Sequence, residues 1–110
     1  MKLQSRYYEY MKRGSKRIEL RLYDEKRQKI EIGDTILFLK EPERNEKLLT
    51  KVIGLLQYDS FTNLLNDVDI SLVADATMTK EELLTILEGF YPKEEQEKYG
   101  VIGIRIEIEK

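Results

Sequence analysis

Between Gly14 and Arg21 the chain reads Gly-Ser-Lys-Arg-Ile-Glu-Leu-Arg, and three of these residues have the types and spacing to hold a polar ligand. Glu19 and Arg21 are two apart, so on an extended strand they project from the same face. Lys16 stands at the mouth of that strand, and Gly14 lets the chain leave a preceding helix sharply. A carboxylate in this setting accepts from an exocyclic amine. The ammonium and the guanidinium donate to phosphate or carbonyl oxygens. The three residues also fit a plainer arrangement, an edge strand with a solvated, salt-bridged face. The spacing alone leaves both open.

Catalysis has a narrow set of options here. The 110 residues contain neither cysteine nor histidine. That excludes disulfides, thiol chemistry, Ser-His-Asp and Cys-His arrangements and His-based zinc sites. Carboxylates alone show no metal-ligand spacing, so no metal and no cofactor are expected. Acid–base work would fall to Lys, Glu, Asp or Tyr with a shifted pKa. For Lys16, burial or the neighbouring Arg17 and Arg21 would favour the neutral amine, and Glu19 would favour the ammonium.

Net charge is −2, which argues mildly against broad, nonspecific nucleic-acid binding and leaves room for a small focused site. The charge is uneven. Positions 1–29 hold Lys2, Arg6, Lys12, Arg13, Lys16, Arg17, Arg21, Lys26, Arg27 and Lys29, against the acids Glu9, Glu19, Asp24 and Glu25. The positive potential therefore belongs to the first quarter of the chain. No apolar run approaches the roughly twenty residues of a membrane span, and no apolar leader follows Met1, so a cytoplasmic location is the default expectation.

The elements that must position these residues follow from periodicity. Leu3, Tyr7 and Met11 recur at four-residue steps, predicting a helix from Leu3 to Arg13 with Tyr7 inward and Tyr8 and Tyr10 partly exposed. Gly14 reads as its left-handed C-cap. Ile18, Leu20 and Leu22 alternate with polar residues, predicting a half-buried strand with its apolar set on a core. Asp24–Lys29 is a charged connection, and Gly33-Asp34 is a turn. Thr35–Leu39 is apolar on both faces, so a central strand is expected. Leu48–Tyr58 is a further strand in which Gly54 signals a bulge or a close backbone approach.

Asp59-Ser60 can cap a short helix carrying Phe61, Leu64 and Leu65. Val68, Ile70 and Leu72 fit either a short strand or loop contacts to the core. Thr79-Lys80-Glu81-Glu82 is a capping box, and the helix after it carries Leu83, Leu84, Leu87 and Phe90 inward until Tyr91-Pro92. Lys93–Tyr99 fits one or two charged turns stopped by Gly100. Ile102, Ile104, Ile106 and Ile108 close the chain as a strand. With no internal repeat or linker, one α+β domain over residues 1–110 is expected, its antiparallel or mixed sheet curled into a small β-barrel with flanking helices.

Gly14-x-Lys16-x-x-Glu19-x-Arg21, with Gly33-Asp34, Tyr91-Pro92 and the closing Gly100-Val101-Ile102-Gly103-Ile104, resembles the signature of small ASCH domains. The resemblance covers nearly the whole chain. It implies a PUA-like β-barrel with a cleft and binding of RNA or a nucleoside or nucleotide. The residues it points to are Lys16, Glu19 and Arg21, with Arg17, Lys26 and Tyr91 beside them. Some similar small proteins are amidohydrolases acting on N4-acetylcytidine, with a proposed catalytic lysine, a threonine three residues later and a glutamate before the later helix. Lys16 matches the lysine. Glu19 stands where the threonine would be, and Asp75 is the acid nearest the glutamate position. Other members carry nuclease activity, for which no motif here gives specific support.

Overall fold

A computed structural model describes residues 1–109. Five strands form one mixed sheet that curls into a half-barrel. They are β1 (Lys2–Leu3), β2 (Ile18–Leu22), β3 (Thr35–Lys40), β4 (Lys47–Tyr58) and β5 (Val101–Ile108), in the order β1-β3-β4-β5-β2. Five helices flank it: α1 (Ser5–Lys12), α2 (Phe61–Asp67), α3 (Ile70–Val73), α4 (Lys80–Phe90) and α5 (Lys93–Tyr99). This is the expected α+β, PUA-like class. All strand pairs are antiparallel except β1 with β3.

Local chemistry explains most element boundaries. Gly14 takes φ 89° just past the end of α1, a conformation that costs a Cβ-bearing residue energy, and so turns the chain into β2. The hydroxyl oxygens of Ser60 and Thr79 accept from the amides of Asn63 and Glu82, both at 3.1 Å, and start α2 and α4. In β4 the register shifts between Val52 and Gly54, forming the expected bulge. A Cβ at Gly54 would lie 3.0 Å from the Arg105 side chain, so the close approach is real as well.

Several sequence expectations change. Leu3 belongs to β1, and α1 starts only at Ser5. Within α1 the buried tyrosine is Tyr8, at 2% exposure, while Tyr7 is half-buried. Arg6, Tyr7 and Tyr10 instead form a lateral cluster, with the Tyr7 and Tyr10 rings edge to face at 5.9 Å. The segment holding Val68, Ile70 and Leu72 contains the short helix α3, begun by the Asp69 carboxylate accepting from the Ser71 amide at 2.9 Å. Strand β3 lies between β1 and β4, yet its outer face is open: Leu37 and its cross-strand partner Leu49 are both exposed. Phe90, expected inward, is 55% exposed.

Two apolar clusters cover opposite faces of the sheet. Under α1 lie Leu3, Tyr8, Met11, Ile36, Phe38, Val52, Ile102, Ile104 and Ile106. Under α2, α3 and α4 lie Ile18, Leu20, Leu22, Phe61, Leu64, Val73, Leu83, Leu87 and Val101. Each large apolar side chain buried this way contributes about 1.5–3 kcal/mol. The consequence for β2 is decisive. Its apolar set enters the second cluster, while Glu19 and Arg21 pair across to Ile104 and Ile102 and so share the face of the first. Both faces of β2 are covered, and the solvated-face arrangement is ruled out.

Candidate functional site

Strands β1 and β2 are the two edges of the sheet, and curling brings them toward one another without backbone pairing. A side chain closes this seam instead. The Arg21 guanidinium Nη2 donates to the Lys2 carbonyl oxygen at 2.7 Å, joining β2 to β1. Beside this bridge lies a cavity of about 180 Å³. Lys2, Leu3, Gln4 and Tyr7 wall it on the β1–α1 side, and Leu83, Ile86, Leu87, Phe90 and Tyr91 on the α4 side. Lys16, Glu19, Leu20, Arg21 and Val73 form its floor.

The floor is a buried chain of alternating charge. Lys16 Nζ lies 3.1 Å from Glu19 Oε1, and Arg21 Nη2 lies 2.7 Å from Glu19 Oε2. Arg21 Nε donates to the same oxygen at 2.7 Å. Lys16 is 3% exposed and Glu19 5%. Lys16 Nζ also donates to the carbonyl oxygens of Ile18 at 2.7 Å and Val73 at 2.8 Å. Three oxygens thus surround the nitrogen, one for each N–H of an ammonium. A neutral amine would aim its lone pair at one of them.

Burial lowers the Lys16 ammonium, and Glu19 opposes this without reversing it. Burial alone would raise Glu19, but Lys16 and Arg21 together outweigh it and hold the carboxyl below its ordinary range. Burial also acts against the Arg21 guanidinium, and Glu19 more than compensates, so Arg21 is raised. The chain offers a polar ligand an oriented row of hydrogen-bonding groups.

Aromatic groups complete the cavity. Lys16 Nζ sits 5.9 Å from the Tyr7 ring centroid, within cation–π range. The Tyr7 hydroxyl is buried and has no hydrogen-bond partner among the described residues. Tyr91 packs against Phe61 with centroids 5.6 Å apart and against Phe90 at 6.3 Å. Burial raises the Tyr91 phenol, and the nearby Arg21 pulls it the other way. A planar group entering this space would meet ring faces and apolar side chains on its walls and fixed charges on its floor.

The sequence-predicted residues divide into two groups. Lys16, Glu19, Arg21 and Tyr91 meet in the cavity. Arg17, Lys26 and Asp75 do not line it. Arg17 turns out to solvent, its Nε donating to the Gly14 carbonyl at 3.2 Å. Lys26 borders a separate concavity of about 460 Å³ with Arg27, Ile30 and Thr35. Asp75 accepts from the Thr77 amide and hydroxyl at 2.9 and 2.8 Å and pairs with Arg13. The Thr77 amide above all holds the Asp75 carboxyl below its usual range, as suits a turn acid. Tyr7, Gln4, Lys2, Ile86 and Phe90 are cavity residues that sequence reasoning did not assign. Only the tyrosine cluster on α1 carried a signal for any of them.

Comparison with known proteins agrees with this architecture. The crystal structure of hypothetical protein PH0355 is 39% identical, with a TM-score of 0.84 over 99% of this chain and 96% of that one. The solution structure of protein PF0455 from Pyrococcus furiosus is 35% identical, with a TM-score of 0.75 over 98% of this chain and 94% of that one. No curated protein matches the chain. The ASCH domain model matches residues 1–110. By that match over its whole length, the chain belongs to the ASCH domain family, a family associated in general terms with RNA binding.

Proposed function

We propose that this protein is a binding module for a single nucleobase, free or within an RNA, held in the seam between β1 and β2. The observation that carries this reading is the pairing of a buried, saturated charge chain with aromatic and aliphatic walls in one small cavity. The floor orients polar groups of the ligand, and the walls take its ring. A cavity of about 180 Å³ falls below the size of typical drug-sized sites and suits one ring system. Recognition of a single splayed base is the common way proteins read RNA sequence. Lys2, at the rim, is placed to meet the sugar or phosphate side of such a ligand.

Burial moves Lys16 toward the free amine, but its hydrogen-bond geometry favours binding over amide hydrolysis. A lysine acting as base or nucleophile needs a free amine, and here all three N–H directions are occupied by acceptors. Asp75, the nearest acid to the amidohydrolase glutamate position, sits in a turn outside the cavity.

The test is an NMR titration of the protein with the four common ribonucleosides and short single-stranded RNAs. Saturable shifts at Tyr7, Arg21 and Tyr91 are expected, and Arg21→Gln should abolish them while leaving the fold intact. Absence of any saturable shift would remove this reading. N4-acetylcytidine is the discriminating addition: release of cytidine and acetate, lost in Lys16→Met, would replace it with the hydrolase.

A further inference from the structure

The cavity walls come from opposite faces of β2, with Tyr7 on the α1 side and Leu83 and Leu87 on the α4 side. A space bounded from both faces of an edge strand lies against the strand's free edge. The backbone bonding identifies which peptide groups point there. Ile106 N–H donates to the Arg17 carbonyl at 3.0 Å, and Tyr23 N–H to the Gly100 carbonyl at 3.0 Å. In the register of β2 with β5, these fix positions 17, 19, 21 and 23 as the residues hydrogen-bonded to β5. Ile18, Leu20 and Leu22 therefore direct their N–H and C=O groups away from the sheet.

The Ile18 carbonyl on this edge is taken by Lys16 Nζ at 2.7 Å. Leu20 lines the cavity, is 5% exposed, and its N–H and C=O have no partner among the described residues. A buried backbone donor and acceptor left open together is uncommon in a folded protein. The Tyr7 hydroxyl, buried in the β1–α1 wall of the cavity, is a third open polar group.

We infer that the Leu20 peptide N–H and C=O read the ligand, pairing with a ring that carries a hydrogen-bond donor directly beside an acceptor. The N3–H and carbonyl of uracil and the amino group and ring nitrogen of cytosine or adenine have this pattern. An extended peptide adding to the sheet would present the same pattern, but strand addition needs a run of open edge. Here the neighbouring position at Ile18 is capped by Lys16, and Leu22 lies outside the cavity. One residue's pair of groups in a small pocket selects a ring over a strand. This inference rests on the nucleobase reading above and adds to it the edge by which the base is recognised.

The experiment uses the whole protein labelled with 15N-leucine. Uridine, cytidine and adenosine are each compared with a partner methylated at the donor: N3-methyluridine, N4,N4-dimethylcytidine and N6,N6-dimethyladenosine. For the nucleoside that binds, hydrogen exchange of the Leu20 amide should slow on saturation, and the methylated partner should bind at least about tenfold more weakly. Tyr7→Phe should keep the fold and lower affinity. If a nucleoside binds while Leu20 exchange is unchanged and its methylated partner binds equally, the inference is overturned and the nucleobase reading stands. If no nucleoside binds, both fall.

Discussion

Two chains of alternating charge cross this molecule, both of basic residues bridged by glutamates at similar distances. One is Lys16–Glu19–Arg21, with contacts of 3.1 and 2.7 Å and side chains 3%, 7% and 15% exposed. The other links Glu9, Lys40, Glu46 and Lys12 through contacts of 2.7, 3.1 and 3.5 Å, with side chains 23–53% exposed. Geometry does not separate them, and solvent does. In the exposed chain water competes with every contact and salt screens it. In the buried chain each charge depends on its neighbours, because none can return to water without disturbing the seam. The exposed chain is a solvated surface, and the buried chain is the candidate site.

The sharpest way to break this contrast is Glu19→Gln. It leaves Lys16 and Arg21 buried without their shared counter-ion and is expected to cost about 3–5 kcal/mol. For a domain of this size the melting temperature should fall by more than about 10 °C. Urea unfolding measures it, and a loss no larger than for a surface pair would erase the distinction. Arg21→Met should cost about 2 kcal/mol by the same measurement, since it removes the charged hydrogen bonds to Glu19 and the Lys2 carbonyl.

Replacing all three members tests what the chain is for. A Lys16→Met, Glu19→Leu, Arg21→Met variant should unfold at higher urea than Glu19→Gln, because no unpaired charge stays buried. It should also bind no nucleobase. A triple variant less stable than Glu19→Gln would mean that the chain chiefly holds the fold.

Acid separates the two chains more finely. The Glu19 carboxyl is held below its unfolded value near 4.3, so as pH falls the unfolded chain takes up this proton first. The stabilisation is therefore full above that value and is lost as pH drops through the lower, folded one. Glu46, lowered mainly by its hydrogen bond to Lys40, acts with the same sign. High salt should remove the Glu46 part and leave the Glu19 part, which pH-dependent urea midpoints at two salt concentrations would resolve. The smallest expected effect is Glu46→Gln at neutral pH, a change in melting temperature within experimental error.

Much of the fold was legible in order along the chain. Period-two alternation marked β2 and β5, the capping oxygens of Ser60 and Thr79 marked two helix starts, and Gly54 marked the bulge in β4. What failed was burial. Tyr7 and Tyr8 exchange roles because β1 shifts the start of α1, and no local pattern encodes a two-residue parallel strand. Phe90 fits the helical stripe of α4, yet it falls where the helix overhangs the cavity and no element covers it. Asp75 and Lys26 were placed by chain order, which carries no information about which side of the seam a residue reaches.

By itself, the sequence determined that Glu19 and Arg21 share a face, that Lys16 stands at the mouth of the same strand, and that the chain has the marks of its family. These are consequences of strand periodicity and residue type, which act over a few residues. Only the tertiary structure decided that α1 covers that face, that Arg21 ties the two sheet edges together, and that the Leu20 peptide groups stay open beneath them. Those facts depend on which surfaces meet when the sheet curls, and that is set by packing among residues far apart in the chain.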